Sequence, residues 1–552
     1  MRLEKFILDI LNSKRKINLI YLITLILFIL SILTFPTKIV KAKMLPNKDS
    51  DSFSIYVDLK DGSSKYETKE VVDCIVKNLQ YEENITNISA FISQGQPIDF
   101  AGLVKQSALK NSENQAELMI NIKRFKDREI TSYNLISNLR SKIQDSCQNA
   151  YEATIKFIEL PAGPPVLASL VAEIYGGDSF SSRRDFAIKV ANIFKNQDTL
   201  VDIDILASKD FFTYTLEINS NKAIMSQVDL EHLKATLYLA FEGMSLGVIN
   251  DKNAQSQIPI FLRLDDSRNL SNNSKDALNL KLNSLKIMNN MGQMISVSEL
   301  VNIKQTIKEP TITSKNLNPI INVIAETSND SQIYPLLSSR EDMIKSFSND
   351  YEIIKTNMLN LSFIDKKTNE RFDLVFDGEL KVTIDTFIDL GTAFIIALIL
   401  IFLLMVVYYK NFALSGAIVL SSFISIIGVI FAHIIMDIFT KDTFYLTATS
   451  LIGFIALIGI NSRNSTLIID FAKQLVLENN LGVNEAIAKA AATRSKPIIL
   501  TVLVLVFASS LIANDAVFGG LGVALIGGTL ISYIVSMFFV PVVIRNSLKK
   551  IV

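Results

Sequence analysis

The stretch Leu451-Ile-Gly-Phe-Ile-Ala-Leu-Ile-Gly-Ile-Asn-Ser-Arg-Asn-Ser-Thr-Leu-Ile-Ile469 places a polar hexapeptide inside an otherwise apolar run. In one interpretation a membrane span ends at Ile460 and the hexapeptide is a cytoplasmic turn. In the other, the helix continues to about Phe471 and Arg463 lies inside the membrane. A mid-membrane arginine costs about 2.5–3.5 kcal/mol on insertion scales, so the second interpretation requires a counter-charge. The sequence leaves both interpretations open.

Carboxylates that could neutralise Arg463 are scarce. Arg463, Thr466 and Asp470 are spaced three and four apart, so they share one helix face. Asp385 and Asp389 lie at the outer end of the second apolar run of the chain. Because arginine stays protonated, it cannot itself carry a transported proton. If Arg463 is buried, we therefore expect its counter-charge and any proton carrier to come from another chain.

Six runs of at least 17 residues contain no Asp, Glu, Lys or Arg and are strongly apolar. About 20 apolar residues of helix cross the hydrocarbon core, so each run is predicted to be a transmembrane helix. The fifth run opens on Pro497, a favourable position at a helix N-terminus. The sixth carries Gly520, Ala524 and Gly528 at a spacing of four, a ridge expected to pack closely against a neighbouring helix. The six runs are 17–37, 390–409, 411–436, 443–462, 497–514 and 516–544.

The distribution of basic residues sets the expected topology. The first run is too long for the apolar core of a signal peptide, so it is predicted to be an uncleaved anchor. Lys and Arg concentrate before the first run, after the fourth and after the sixth, which places both termini in the cytoplasm. Residues 38–384 are then exterior and long enough for two or three domains. The basic residues are Arg2, Lys5, Lys14, Arg15, Lys16, Lys473, Lys489, Arg494, Lys496, Arg545, Lys549 and Lys550.

Composition argues against several function classes. Lys+Arg and Asp+Glu are both 55, and this balance speaks against a nucleic-acid-binding protein. Cys74 and Cys147 are too few for a disulfide scaffold or a Cys-rich metal module; they either pair in an oxidising compartment or are two buried thiols. Only two histidines occur, and His232 is predicted to lie on a solvated helix face. With no catalytic grouping in view, we predict a non-enzyme without cofactor or metal.

The exterior region is predicted to be α+β, because strand-like and helix-like segments alternate in it. Ser64 and Glu67 are spaced as a capping box that opens a helix through Asn78. The proline-rich segment 161–165 predicts a subdomain boundary. Four segments alternate apolar and polar residues as strands do: 52–59, 115–122, 213–218 and 258–264.

Several segments, in order along nearly the whole chain, resemble the resistance-nodulation-division (RND) superfamily, specifically the second half of an acriflavin-resistance-type multidrug efflux pump. Arg463-Asn-Ser465 resembles part of the fourth span of that half, and Arg494-Ser-Lys-Pro497 with Thr501 resembles the start of its fifth. The polar Asn461-Ser462 pair and the proline-free segment 421–425 depart from the family pattern. The other matching segments are Lys43-Met-Leu-Pro-Asn47, Gly163-Pro-Pro-Val-Leu167, Val171-Ala-Glu-Ile-Tyr-Gly176, Gly292-Gln-Met-Ile-Ser-Val-Ser-Glu-Leu300 and Leu467-Ile-Ile-Asp-Phe471.

The resemblance implies a membrane protein of six transmembrane α-helices, one before and five after a large α+β periplasmic region. That region would hold ferredoxin-like porter subdomains and a docking subdomain. The implied divisions are a cytoplasmic N-terminus 1–16, helix 1 at 17–37, a first porter subdomain 38–164, a second at 165–205 and 317–384, a docking-like subdomain 206–316, helices 2–6 within 385–545 and a cytoplasmic tail 546–552.

The resemblance also implies a proton relay. Arg463 falls where the family usually carries the basic residue of the relay, Lys496 falls at a basic position and Thr501 at a relay hydroxyl. We add Asp470 to these candidates because it shares a helix face with Arg463. The paired aspartates of the relay belong to the fourth span of the other half of such pumps, and this chain has no such pair.

The function implied is that of one half of a proton-driven pump for small amphiphilic compounds in the bacterial inner membrane. A complementary half-chain would supply the aspartates, and a trimeric assembly would work with a periplasmic adaptor and an outer-membrane channel. Three alternatives stay open. The chain forms a homodimer-like unit without relay carboxylates, it is a non-transporting remnant, scaffold or sensor with a binding ectodomain, or it is a Sec-type protein-export subunit. The export members of the superfamily carry an acidic residue in span four, which this chain lacks.

Overall fold

The computed structural model describes residues 2–160, 162–254, 257–264, 275–328, 330–357, 359–440 and 442–549. Two compact units are present. The first joins Met1–Ala207 with Ile312–Val552, and the second is Ser208–Thr311. The first unit begins with two helices, α1 (Arg2–Asn12) and α2 (Lys14–Leu33).

The first sheet of this unit is four-stranded, and every neighbouring pair in its order β2-β3-β1-β4 is antiparallel. Its chain order is the βαββαβ order of a split β-α-β fold. The predicted capping box is confirmed, since the Ser64 side chain accepts from Glu67 N and that of Glu67 from Ser64 N. The elements are β1 (Ser52–Asp58), α3 (Lys65–Leu79), β2 (Ile85–Ile92), α4 (Phe100–Val104), β3 (Gln115–Ile122), α5 (Ser132–Ile143), α6 (Asn149–Tyr151) and β4 (Thr154–Ile158).

A disulfide between Cys74 and Cys147 joins α3 to the π-helical turn Gln144–Gln148 that follows α5. Cys147 is fully buried beneath the two helices. The bond resolves the open choice between a pair and two free thiols. It also requires a compartment in which thiols can be oxidised.

The second sheet of the first unit is built from two chain segments, one that precedes the second unit in the sequence and one that follows it. Its central strand, β5, pairs with β14 on one side and with β17 on the other. In the core of this sheet, the ring of Phe186 stacks on that of Phe372, with 4.6 Å between the ring centroids. The elements are β5 (Leu170–Gly176), α7 (Phe180–Lys195), β6 (Leu200–Leu206), β13 (Thr313–Lys315), β14 (Asn318–Thr327), α12 (Ile333–Phe347), β15 (Tyr351–Lys355), β16 (Leu361–Asp365) and β17 (Arg371–Asp377).

The second unit consists of three two-stranded ribbons and four helices, among the residues that the structure describes. His232 lies on one of these helices with 77% of its side chain exposed, as predicted. The elements are β7 (Phe212–Ile218), α8 (Ser220–Met225), α9 (Leu230–Phe241), β8 (Met244–Ile249), β9 (Ile258–Leu262), α10 (Lys275–Ser284), β10 (Lys286–Met288), β11 (Met294–Ser296), α11 (Val297–Leu300) and β12 (Val301–Ile307).

Within the described residues, six helical segments are long and apolar enough to cross a membrane. One is α2, and the other five follow the second sheet. The most apolar stretch of α13 is not buried within the chain at all. The helices are α13 (Glu379–Tyr409), α14 (Phe412–Ile424), α15 (Ile426–Phe439), α16 (Ala448–Asn479), α17 (Val483–Ile512), α18 (Gly519–Ile534) and α19 (Val540–Leu548), with the pairs α14–α15 and α18–α19 each forming one segment.

The structure corrects one helix start. Pro497 does not open a helix; it lies inside α17, which begins at Val483. The preceding segment Ala486-Ile-Ala-Lys-Ala-Ala-Ala492 is rich in alanine, the best helix former, so the helix extends beyond the apolar run.

Candidate functional site

Helix α16 runs without a break through the polar hexapeptide. Its N-terminus is closed by a capping box between Thr447 and Ser450, and the helix continues for 32 residues to Asn479. Arg463 comes fifteen residues after Ala448. At 1.5 Å per residue it lies about 22 Å along the helix axis from Ala448. The hexapeptide is therefore helical rather than a turn, and the helix continues past Phe471 as the second interpretation expects.

The inward face of the hexapeptide packs against serines of α14. The Ser465 hydroxyl lies 2.9 Å from that of Ser421, and the Ser462 hydroxyl 3.4 Å from that of Ser422. These side chains are all buried. Hydroxyl pairs of this kind hold membrane helices together because each alternative leaves a polar group in hydrocarbon. The serine content of segment 421–425 was the sequence signal for this contact.

Two asparagine side chains on the same helix are buried, although some of their amide atoms lack a hydrogen-bond partner among the described residues. Both amide atoms of Asn461 and the Nδ2 of Asn464 find no hydrogen-bond partner among the described residues. Each side chain is only 2% exposed. The sequence showed Asn461 as a departure from the family pattern but gave no sign that these amides would face the interior of the bundle.

Arg463 lies on the opposite, exposed face of α16. It makes no hydrogen bond or ion pair with any residue that the structure describes. One turn before it, a Cβ at Gly459 would meet nothing within 4 Å, and Ala456 is exposed as well. Small residues on a membrane helix let another helix approach closely. The exposed face of α16 therefore carries a cation without a counter-charge among the described residues. Next to it lies a strip of small residues formed by Ala456 and Gly459.

The Asp470 carboxylate is hydrogen-bonded to two tyrosines. Its carboxylate accepts from the Tyr409 hydroxyl at 2.8 Å and from the Tyr408 hydroxyl at 3.4 Å, both on α13. The Thr466 hydroxyl donates to the thioether of Met405 at 3.8 Å. The spacing of three and four along α16 thus does not produce an ion pair between Asp470 and the arginine.

Neither of the two relay candidates on α17, Lys496 and Thr501, forms a hydrogen bond or an ion pair with Arg463 in the part of the chain that the structure describes. Lys496 is exposed, and the Thr501 hydroxyl donates to the Pro497 carbonyl at 3.1 Å. The neighbouring Arg494 instead lies over the Phe471 ring, 4.8 Å from its centroid. The sequence-derived relay residues are therefore spread over two helices in this chain rather than gathered into one network.

The ridge on α18 lies against α16. The ideal Cβ position at Gly453 is 3.0 Å from the Ala524 Cβ, and a Cβ at Gly520 or Gly528 would overlap side chains of α16. A second close approach was missed: on another face of α18, Gly527 meets Gly428 of α15 backbone to backbone. The sequence signal for it was a glycine in the third apolar run and another in the sixth.

We expect Gly527→Ala to destabilise the helix bundle by about 1–3 kcal/mol, the usual cost of overpacking a tight core. A Cβ at this position would overlap the Gly428 carbonyl oxygen, which cannot move without shifting α15. Unfolding of the full chain in detergent measures the change. Gly459→Ala is the matched control, because its new methyl group enters open space. Equal stability of the two variants would contradict the close helix contact.

A buried histidine, which the sequence did not single out, lies near the end of the bundle at which α16 begins. His433 on α15 is 0% exposed. Its Nε2 is 2.9 Å from the Ser450 hydroxyl of the α16 capping box and its Nδ1 is 2.8 Å from the Val429 carbonyl. Both ring nitrogens are satisfied by a neutral imidazole, so His433 fixes α15 to the start of α16.

Polar contacts connect segments next to the membrane helices to the parts of the chain that carry the two sheets. Asp442, which follows α15, accepts from the Tyr133 hydroxyl at 2.8 Å and from the Asn134 amide at 2.9 Å, both on α5. Lys41, which follows α2, forms an ion pair with Asp330 at 3.0 Å. The loop between α15 and α16 is therefore in direct hydrogen-bond contact with α5.

A cavity of about 120 Å³ lies between the two sheets of the first unit, and charged residues from several elements line it. Glu326 on β14 pairs with Lys105 at 2.7 Å. Glu159, just after β4, lies 3.9 Å from Arg140 and has 35% of its side chain exposed. Burial raises the pKa of Glu159 to about 7, with Glu326 adding to the rise and Arg140 opposing it.

We expect Glu159 to make the chain less stable as the pH rises from about 4.5 to about 7. The folded state holds a proton on this carboxyl that the unfolded state has already released, so acid favours the fold. Glu159→Gln, a neutral isostere, should flatten this dependence and leave stability at low pH unchanged. Melting temperatures at several pH values measure the effect. An unchanged slope in the variant would show that Glu159 is ionised in the folded chain throughout this range.

These helices and two antiparallel sheets define a multi-pass membrane protein with the fold of RND transporters. The chain belongs to the AcrB/AcrD/AcrF family, whose profile matches residues 2–545. It is 20% identical over 558 residues to the multidrug export protein AcrF of Escherichia coli (strain K12), which covers 98% of this chain and 48% of that protein. Over a shorter stretch of 99 residues it is 33% identical to the multidrug resistance protein MdtC of Erwinia amylovora, covering 17% of this chain and 10% of that protein.

Solved structures agree with this fold. The crystal structure of a heavy metal efflux pump (crystal form II) superposes with a TM-score of 0.74 at 16% sequence identity, covering 99% of this chain and 52% of that one. At this identity the similarity shows the fold alone. The chain spans about half the length of AcrF and of that pump.

Proposed function

We propose that this chain is one half of an RND-type efflux transporter that is driven by protons and works with a separate complementary half. The observation that carries the proposal is Arg463, a cation within the long apolar helix α16 that has no counter-charge among the described residues. Its exposed face carries Ala456 and Gly459, which suit close contact with another helix. The complementary half would place carboxylates against this face.

The carboxylates would also be the proton carriers. Arginine does not titrate in the accessible range, so Arg463 acts as the fixed charge that the carboxylates pair with when ionised and leave when protonated. Asp470 is a poor substitute because two tyrosine hydroxyls already bind it. Lys496 and Thr501 would complete the relay on α17 once the complementary half is docked. Protonation would then move α16, and the Asp442 contacts would pass the movement to α5.

The exterior region would face the periplasm of a bacterial inner membrane, with both termini in the cytoplasm. The Cys74–Cys147 disulfide supports this orientation, since it needs an oxidising compartment. We propose that the two sheets of the first unit serve as porter subdomains and that Ser208–Thr311 serves as the docking subdomain. Trimers, a periplasmic adaptor and an outer-membrane channel complete the proposed export path.

The proposed substrates are small amphiphilic compounds. Similar proteins are named for multidrug export and for solvent resistance, the latter in Pseudomonas putida. No enzymatic step and no cofactor enter the proposal.

The test is purification of the tagged full chain from its native membranes in mild detergent, with identification of what comes with it. We expect a second membrane chain in equal amount, carrying adjacent aspartates within an apolar span. Gly459→Leu should reduce its recovery, because the side chain blocks the strip next to Arg463. Gly391→Leu on α13 is the matched control, since a side chain there also meets open space. Recovery of the tagged chain alone would overturn the transport proposal and favour a remnant or scaffold.

A further inference from the structure

The hairpin of β10 and β11 carries three methionines at a spacing of three, in the segment Met288-Asn-Asn-Met291-Gly-Gln-Met294. Ile287 pairs with Ile295 across the hairpin, and the next pair is Met288 with Met294. Ile287 is only 7% exposed, so the isoleucine pair faces the core of the second unit. Neighbouring pairs of a strand ribbon point to opposite faces. The two methionines therefore stand directly opposite each other on the outer face, with Cβ atoms about 5 Å apart.

The turn of the hairpin holds the third methionine next to this pair. The Asn289 side-chain oxygen accepts from Met291 N at 3.0 Å and from Gln293 N at 2.8 Å. The Asn289 amide in turn donates to the Ser226 carbonyl at 3.0 Å, which ties the turn to the end of α8. The backbone of Met291 is thus fixed at the tip, and its side chain is 63% exposed.

The exposure of these side chains is unusual for methionine. A methionine normally fills gaps in a core, where its thioether packs against other side chains. Among the described residues, the exposed methionines all lie at this hairpin or beside it: Met225, which precedes Ser226, and Met288, Met291 and Met294. Their sulfur atoms are therefore available to a ligand rather than used in packing.

We propose that Met288, Met291 and Met294, here called the methionine hairpin, bind one soft monovalent metal ion of the Cu(I) or Ag(I) type through their three thioether sulfurs. Neutral, polarisable thioethers favour such ions over Zn²⁺ or Mg²⁺, which prefer imidazole, thiolate or oxygen ligands. The donors also suit an oxidising compartment, because thioethers cannot be lost to disulfide formation as thiols are. This proposal is independent of the transport function.

Among the described residues, few other side chains have sulfur or imidazole ligands that could bind such an ion. Both cysteines are bound in the disulfide, so no free thiol is present. His433 is fully buried, which leaves His232 as the one exposed imidazole in the sequence. Binding of a soft ion can therefore be assigned to the methionine hairpin with few variants.

The test uses Ag⁺ on the full chain in detergent, because Ag⁺ needs no reductant and the Cys74–Cys147 disulfide therefore stays closed and adds no thiol ligands. The wild-type chain is expected to retain one Ag⁺ per chain through desalting, measured by elemental analysis, and to ignore Zn²⁺. The triple variant Met288→Leu, Met291→Leu, Met294→Leu should retain none. Leucine keeps the size and apolar character of methionine, so it removes the sulfur at little cost to folding.

Two control variants show whether the three sulfur atoms hold the ion. Met244→Leu changes a half-buried methionine of the same unit and should leave Ag⁺ retention unchanged, as should His232→Ala. Loss of retention in His232→Ala, retention by the triple leucine variant, or no retention by the wild-type chain would each overturn the proposal. If the exposed side chains instead serve an apolar protein contact, the leucine variant would keep that contact while the wild-type chain binds no silver.

Discussion

Arg463→Ala is expected to abolish efflux without reducing the amount of chain in the membrane. The side chain makes no hydrogen bond or ion pair with the described residues, so its removal costs the fold little. It would, however, leave the proposed carboxylates of the complementary half without their fixed counter-charge. Carboxylates in that state hold their protons more tightly, and the cycle of uptake and release stops. Accumulation of a fluorescent amphiphile in cells that carry both halves measures the effect.

Two further variants, one that keeps the charge and one that serves as a control, are compared in the same experiment. Arg463→Lys keeps the charge as a point cation but loses the planar fork of donors, so an intermediate rate is expected. Arg371→Ala removes an exposed arginine from β17 and should leave efflux unchanged. Normal efflux by Arg463→Ala would remove this residue from the relay. Loss of the protein from the membrane would show that Arg463 serves folding instead.

Removal of the disulfide by Cys74→Ala with Cys147→Ala is expected to lower the free energy of unfolding by about 4 kcal/mol. The bond closes a loop with a sequence separation of 73 residues. On the chain-entropy account, releasing a loop of that size restores about 4 kcal/mol of conformational entropy to the unfolded chain. Alanine is chosen because it adds no polar group at the fully buried position 147. Chemical unfolding of the full chain in detergent measures the difference.

The reductant provides the matched control for the disulfide. Reduction of the wild-type chain should reproduce the loss of stability, and the double alanine variant should not respond to it. An equal response of both proteins would show that the reductant acts elsewhere. A variant as stable as the wild type would mean that the packing of α3 and α5 on the first sheet is sufficient by itself.

The apolar runs and the strand periods were predictable from local sequence. A run without charged residues has few stable environments besides a membrane, and residues 52–59 and 115–122 match strands β1 and β3 closely. The capping box at Ser64 was predictable for the same reason, since its two hydrogen bonds join residues three positions apart. In each case the physical cause lies within one turn or one strand of the residues concerned.

The ends of the helices were less predictable than their existence. The apolar run at 497–514 suggested that the helix starts at Pro497, whereas α17 starts fourteen residues earlier at Val483. Hydropathy reports where lipid contacts the chain, not where backbone hydrogen bonding begins. An alanine-rich segment, buried against neighbouring helices, continues the helix beyond the apolar run, and the helix tolerates the donor that the internal proline removes.

Local sequence patterns were enough to predict the six apolar segments, the α+β character of the exterior region and the polar interruption of the apolar run at Arg463. The direction in which each polar residue of α16 faces could not be predicted in this way. Asn461 and Ser465 turn inward, Asp470 goes to the tyrosines of α13, and Arg463 remains on the exposed face. The reason is physical: spacing along a helix fixes which residues share a face, but the packing of neighbouring helices decides which face is covered.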